Sequence, residues 1–382
     1  MTRELRLISA SLFVWGVGEG LFAFFQPLYL QQLGASPVQI GGILGLAGLG
    51  LTISHIPAGA LADKIGRRTL MRASSILGTV AAWIMFVAPS LPLFIIGLVL
   101  YYFTAFVMSP MSSYATAARG KWTVERALTT IFAFFSIGSI LGPIIGGQLS
   151  TLIGLRSIYG ISSVLYVVST IVMFLLPPQP TESDSLRSSY KRLLGNRSFG
   201  SLLVLFLITC FALYLAWPLT PNFLQNERGV SLAAIGIFGS FYSLGSVVLN
   251  LIMGRLRSYI AFLLSQVLIG ASAVMLWLGT GTPWFALGYF LYGGYRTARA
   301  MMTSLTETQV ERSQMGLAFG LVETVGGLSL LAAAPIAGLL YKVAPHLPYP
   351  ISMGLIALSL IISGRYLPRL RSSTEPLISR RE

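Results

Sequence analysis

The 382-residue chain is 54% hydrophobic and 10% charged, with a mean hydropathy of +0.76 and a net charge of +14. Soluble globular domains carry about 25% charged residues, so water is not the solvent for most of this surface. The basic residues fall in short clusters between apolar runs rather than on one face, which argues against nucleic acid, and the lone Cys210 excludes a disulfide framework or a cysteine metal site.

Twelve apolar stretches of roughly 20 residues, the length that crosses a ~30 Å hydrocarbon core, fill nearly the whole chain. They are predicted at about 7–30, 39–62, 69–88, 92–117, 127–151, 156–176, 200–223, 231–253, 259–279, 283–305, 315–340 and 348–367. The segment Met1 to Arg6 is too short for a cleavable presequence, so the first run reads as a retained helix. Of the 26 Lys and Arg, 21 fall on one side of the resulting topology, and Arg156, Arg228 and Lys342 alone on the other. Positive charge marks the cytoplasmic side, so both termini are expected there, in a multi-pass protein of the cell membrane.

Glu19 lies at the middle of span one, with Trp15, Phe22 and Gln26 on its face by helical spacing. An ionised residue at a helix centre costs roughly 2.5–3.5 kcal/mol on insertion scales, so such residues are functional candidates. Glu19 reads as a group that handles protons or a cationic substrate; a structural hydrogen bond to a neighbouring helix is the alternative. At the end of this span Pro27, Leu30, Gln31, Gly34, Ser36, Ile40 and Gly41 recur as Pro221, Leu224, Gln225, Gly229, Ser231, Ile235 and Gly236, an internal repeat. Leu213 stands at the repeat position of Glu19, so the acid is no relic of symmetry.

Between spans two and three the chain reads Gly59, Ala60, Leu61, Ala62, Asp63, Lys64, Ile65, Gly66, Arg67, Arg68. Small residues allow close helix approach, Gly66 permits a tight turn, and Asp63 can accept hydrogen bonds or pair with Arg67 or Arg68. The segment closely resembles the motif of major facilitator transporters at this connection. In that family the aspartate and arginines latch the inner side shut, a role the resemblance implies for Asp63, Arg67 and Arg68. Its second-half counterpart, Gly254 to Tyr259, has lost the acid, so any latch is one-sided. His55, one turn before Gly59, reads as a packing or capping residue.

Span five carries Gly138, Gly142, Pro143, Gly146 and Gly147, which resembles the antiporter motif of major facilitator exporters. Its glycines allow backbone-to-backbone packing and its proline can bend the helix. Ala334 to Gly338 in span eleven is a weakened echo. The resemblance covers essentially the whole chain. It implies an all-α membrane protein of twelve transmembrane helices in two parallel six-helix pseudo-repeats, 1–176 and 200–382, joined by a cytoplasmic linker at 177–199.

In the family, spans one, four, seven and ten line a central cavity, which would aim Glu19 and Gln26 at substrate. Tyr214 and Trp217 in span seven, Tyr114 in span four and Phe132 and Phe135 in span five are further candidate lining residues. Arg296 falls near the middle of span ten beside Tyr292 and Arg299, and Glu323 lies in span eleven. An Arg296–Glu323 ion pair is expected, either structural or broken during transport, with Arg299 at the inner gate. Nothing resembles a nucleotide-binding loop or an enzyme motif, so the chain is expected to be no enzyme, to need no cofactor and to draw on a proton gradient. The expected activity is proton-coupled export of lipophilic or cationic small molecules by a lipid-embedded monomer. Uptake of a sugar, amino acid or carboxylate with protons is one alternative, favoured by Arg296 with Tyr292; passive uniport, which would leave Glu19 structural, and a non-transporting membrane sensor or scaffold are the others.

Overall fold

The structure, a computed structural model, describes residues 1–179, 196–310 and 314–378; side chains at 51, 55–65, 109, 316 and 369–378 lie outside that description. It is helical throughout. The first half comprises α1 (Arg3–Ala23), α2 (Gln26–Gln32), α3 (Pro37–Ile65), α4 (Arg67–Val87), α5 (Leu91–Phe103), α6 (Met108–Ala117), α7 (Val124–Ile153) and α8 (Leu155–Phe174). The second comprises α9 (Arg197–Tyr214), α10 (Thr220–Arg228), α11 (Leu232–Met253), α12 (Ser258–Leu278), α13 (Thr282–Tyr292), α14 (Gly294–Glu307), α15 (Met315–Val343) and α16 (Pro348–Ile378).

These elements build the twelve predicted spans. Eleven helical stretches among the described residues are long and apolar enough to cross a bilayer. The remaining span, predicted at about 283–305, is divided at Gly293 into α13 and α14. There α11 crowds in so closely that a Cβ on Gly293 would lie 2.5 Å from the carbonyl carbon of Gly245. Large apolar side chains such as Leu152, Ile171 and Val343 remain exposed on the outside of the bundle, as a lipid-facing surface requires.

The internal repeat is visible in backbone detail. Gly34 and Gly229 both adopt positive φ, +88° and +65°, where a side chain would be strained. Two residues later, Ser36 and Ser231 each cap the following helix, accepting from Gln39 N–H at 3.4 Å and Ala234 N–H at 3.2 Å. Span one therefore breaks into α1 and α2 just as span seven breaks into α9 and α10, the short second helix of each carrying a proline in its first turn.

Polar groups tie the spans together within each half, where no water can satisfy them. Ser11 of α1 meets Ser169 of α8 at 2.7 Å, and Thr209 of α9 meets Ser359 of α16 at 2.7 Å. The first residues, the described edges of the mid-chain connection and the later part of α16 share one face, here the terminal face: Thr2 donates to the Ala118 carbonyl at 2.8 Å, Tyr114 to the Pro177 carbonyl at 2.7 Å and Tyr366 to the Ser198 carbonyl at 3.5 Å.

Three contacts join the halves from the opposite, far face. α2 meets α10 through Asn222, which donates to Gln31 Oε1 at 2.6 Å and to the Pro27 carbonyl at 3.2 Å, while Asn226 reaches the same Gln31 oxygen at 3.2 Å. α3 runs along α15 from Pro37 against Gly338 to Thr52 against Gly327, roughly 22 Å of helix. α7 packs on α11, with Ser240 donating to the Ile140 carbonyl at 2.6 Å. All three lie between the far face and just past the midplane, so the halves are shut against each other on that side.

Candidate functional site

Between the halves, near mid-membrane, two opposite charges face one another. Glu19 on α1 is half-buried and accepts a hydrogen bond from the Tyr101 hydroxyl of α5 at 3.0 Å; that hydroxyl also lies 3.0 Å from the Tyr166 hydroxyl of α8. The Trp15 indole stands beside the carboxylate as a further donor and stacks on Tyr166, ring centres 4.0 Å apart. Across the gap, Arg296 on α14 is exposed although it sits in the middle of a span, and it interacts electrostatically with Glu19 and with Tyr242 of α11. Glu19 and Arg296 make no direct ion pair. Glu19 is partly and Arg296 largely accessible, and charged groups at this depth are found facing a bundle interior or a water-filled cavity.

Aromatic rings wall the second-half side. Trp217, in the break between α9 and α10, stacks flat on Tyr292 at 3.9 Å and lies 5.3 Å from Tyr242. Phe24, from the α1–α2 break of the first half, adds its edge to Trp217 and Tyr242. Tyr214 and Tyr295 continue the cluster, 6.0 Å apart. Tyr292 is itself buried and bonds the Leu213 carbonyl at 3.2 Å, so it braces Trp217 rather than facing the gap. Gln26 is likewise buried and accepts from Tyr102 of α5 at 3.0 Å.

The charge pair in the second half differs from the expected one. Glu323 of α15 pairs with Arg299, not Arg296. The two arginines are three residues apart on α14 and so point to different neighbours. Arg299 is aimed at α15, where Gly326 has no side chain and the guanidinium fills the space; Arg296 is aimed at α1 and α11. Phe22, expected beside Glu19 on the gap, is buried against Tyr159 and Tyr101. Tyr114 also leaves the candidate lining, since its hydroxyl is spent on the terminal face.

The span-five glycines divide their work. Gly138, Gly142 and Gly146 pack on α1 of their own half; a Cβ on Gly142 would lie 2.7 Å from Gly20 Cα. Gly147 faces α11 of the other half, where a Cβ would lie 2.9 Å from the Leu232 carbonyl, and Gly236 returns the contact against Pro143 and Gly147. Pro143 sits inside α7 without ending it. In the inner motif, Gly66 joins α3 to α4 at φ +89°, the turn its sequence requires, and Arg67 and Arg68 open α4. Gly59, Asp63 and His55 fall among the residues whose side chains are not described.

The sequence profile of the Major Facilitator Superfamily matches residues 8–214 and again 202–382. The chain belongs to this superfamily. As a major facilitator transporter it is a membrane protein that moves a small molecule and is not an enzyme. Among curated relatives, the enterobactin exporter EntS of Citrobacter koseri is 24% identical over 383 residues, 94% of this chain and 90% of that one. An uncharacterized MFS-type transporter of Methanocaldococcus jannaschii is 26% identical over 176 residues, and the chain spans 46% of that relative's length. The fold is shared with the nucleoside transporter NupG, TM-score 0.74 at 14% identity, covering 96% of this chain and 98% of that one. It is shared equally with the POT family transporter PepTSo, TM-score 0.76 at 14% identity, covering 97% and 99%.

Sequence reasoning missed Tyr101, Tyr166, Tyr242 and Phe24. Aromatic residues occur throughout membrane helices, and no spacing rule says which of them converge across two halves.

Proposed function

We propose that this transporter is a proton-coupled exporter of small lipophilic molecules, with Glu19 as the proton carrier. The observation that carries the reading is the mid-membrane carboxylate of Glu19, partly accessible, hydrogen-bonded by Tyr101 and interacting electrostatically with Arg296 of the other half. A carboxylate so placed can be presented to either side as the halves rock, which is how a proton gradient does work on a second solute. Support for export comes from curated relatives, named as exporters, that align along nearly the full chain.

In this reading both termini lie in the cytoplasm, where 21 of the 26 basic residues gather, and the protein acts as a monomer in the cell membrane. The far face is then the outer one, and the structure is the state shut to the outside. The bundles 1–176 and 200–382 move about the 177–199 linker, and Asp63 with Arg67 and Arg68 latches the inner side when the outer side opens.

Cotransport with protons is the second reading, and the exposed Arg296 favours it, since an anionic cargo would bind there. The likeness to NupG and PepTSo is one of fold and bears on neither direction. A screen of candidate solutes in proteoliposomes under an imposed pH gradient separates the two. Solute moving opposite to the protons, and lost in Glu19→Gln, supports export; solute moving with them supports uptake.

A further inference from the structure

Two buried glycines stand side by side on α15, and each receives a side chain from a different neighbour. Arg299 of the same half, paired with Glu323, fills the space over Gly326. Thr52 of the other half fills the space over Gly327, where a Cβ would overlap the threonine hydroxyl and lie 3.0 Å from the Thr52 Cβ. We infer that Thr52 on Gly327 is the fulcrum about which the halves rock, and that this support lies on the α3–α15 side alone. The inference rests on the rocking of the halves, but on neither Glu19 nor the direction of transport.

Place and build both argue for it. The α3–α15 contact starts at the far face, with Pro37 against Gly338, and Thr52 on Gly327 is the last seat before the terminal side. Contacts farther out must part when the far face opens, whereas the one at the boundary between closed and open can be kept in both states. The knob is stiff, because threonine is β-branched and its hydroxyl donates to the Gly48 carbonyl one turn back at 2.8 Å. The fit is also reciprocal. Leu330 of α15 lies over Gly48 of α3, its Cγ 2.9 Å from where a Cβ would stand, so each helix lends the other one side chain and one bare stretch of backbone. Glycine is a poor helix former, and a mid-helix pair of them is explained by these two occupied seats.

The other inter-helix boundary lacks this support. Ala334 to Gly338 aligns α15 with α7, and the repeat at Ile40 and Ile235 aligns α3 with α11. In these registers Phe135 stands at the position of Gly327 and Val247 at that of Thr52, so there is neither a bare seat nor a hydroxyl knob. The α7–α11 contact is made farther out, by Gly236 against Pro143 and Gly147 and by Ser240 donating to the Ile140 carbonyl at 2.6 Å. Ser240 corresponds to Gly45 of α3, and from Gly45 to Thr52 the α3–α15 contact continues for roughly 10 Å more. The axis of rocking is therefore tilted, lower at α3–α15 than at α7–α11.

Cysteine pairs in the full chain, with Cys210 replaced by Ser, test the inference by disulfide linking in nanodiscs. One pair is Thr52→Cys with Gly327→Cys, the other Val38→Cys with Gly338→Cys at the far end of the same contact. Far-face opening is read from the rate at which a cysteine at Ala233 reacts with an impermeant maleimide after the link has formed. The Thr52–Gly327 link should leave that rate within about twofold of the unlinked protein, and the Val38–Gly338 link should lower it about tenfold. An equal fall with the Thr52–Gly327 link overturns the inference. A rate that neither link moves overturns the rocking beneath it, so the two failures are distinguishable. Phe135→Cys with Val247→Cys should not link under the same oxidant, and a link formed as fast as Thr52–Gly327 overturns the one-sidedness. Gly48→Cys with Leu330→Cys repeats the test at the reciprocal seat, should a cysteine at Gly327 prevent folding.

Discussion

Glu323 of α15 takes its counter-charge from Arg299 rather than from Arg296, one turn further along the same helix. That choice separates a structural pair from a working residue. With Glu323 satisfied, Arg296 is left to interact with Glu19 across the boundary between the halves, and among the described residues it makes no ion pair.

The Arg299–Glu323 pair should behave as a structural link. Its side chains are 19% and 40% exposed, so its worth falls below that of a fully buried pair, about 1–2 kcal/mol per single removal. Arg299→Gln and Glu323→Gln should each lower the melting temperature, while the double variant should lose less than their sum. Additive losses in this cycle would mean that the two residues do not act together.

The span-five glycines should split into two phenotypes. Gly142→Leu drives a side chain into the α1 backbone at Gly20 and should destabilise the first half, with loss of folded protein after solubilisation. Gly147→Leu acts on the contact with α11 and should leave the fold intact while weakening the far-face closure. Thermal melting of the two variants, paired with labelling from the far side, distinguishes these outcomes.

The carboxamide cluster of Gln31, Asn222 and Asn226 should hold the far face shut. A cysteine at Ala233, introduced with Cys210 replaced by Ser, reports on that closure through its rate of reaction with an impermeant thiol reagent. Asn222→Ala should raise the rate severalfold, and Gln31→Ala should do the same because it removes the acceptor for both asparagines. Unchanged rates in both would show that the helix contacts alone keep the face closed.

Much of the architecture was legible because the bilayer restricts what the chain can do. Runs of about 20 apolar residues can only be spans, and the repeat around Pro27 and Pro221 reappears as matching helix breaks, matching positive-φ glycines and matching serine caps. Spans four and ten were predicted as continuous, but span four tightens into a 3-10 turn at Thr104–Val107 and span ten breaks at the Gly293–Gly294 pair, where Gly245 of α11 approaches closely. In the candidate site the charges stood out, and Trp15, Tyr214 and Trp217 were already among the candidate residues. Glu19 and Arg296 stood out because ionised residues are expensive in a membrane, but whether Glu323 would meet Arg296 or Arg299 depended on space at Gly326, which is a property of packing. The tyrosines around Glu19 gave no signal at all, being ordinary residues until the helices bring their hydroxyls together.

The account turns on Glu19 as the coupling carboxylate, and counterflow tests this most directly. With a solute found in the pH-gradient screen, wild-type proteoliposomes should both exchange labelled for unlabelled solute at equal pH and accumulate it when a pH gradient is imposed. Glu19→Gln should keep the exchange and lose the accumulation, because the halves still rock but no proton is carried. Gradient-driven accumulation by Glu19→Gln equal to wild type would contradict the account.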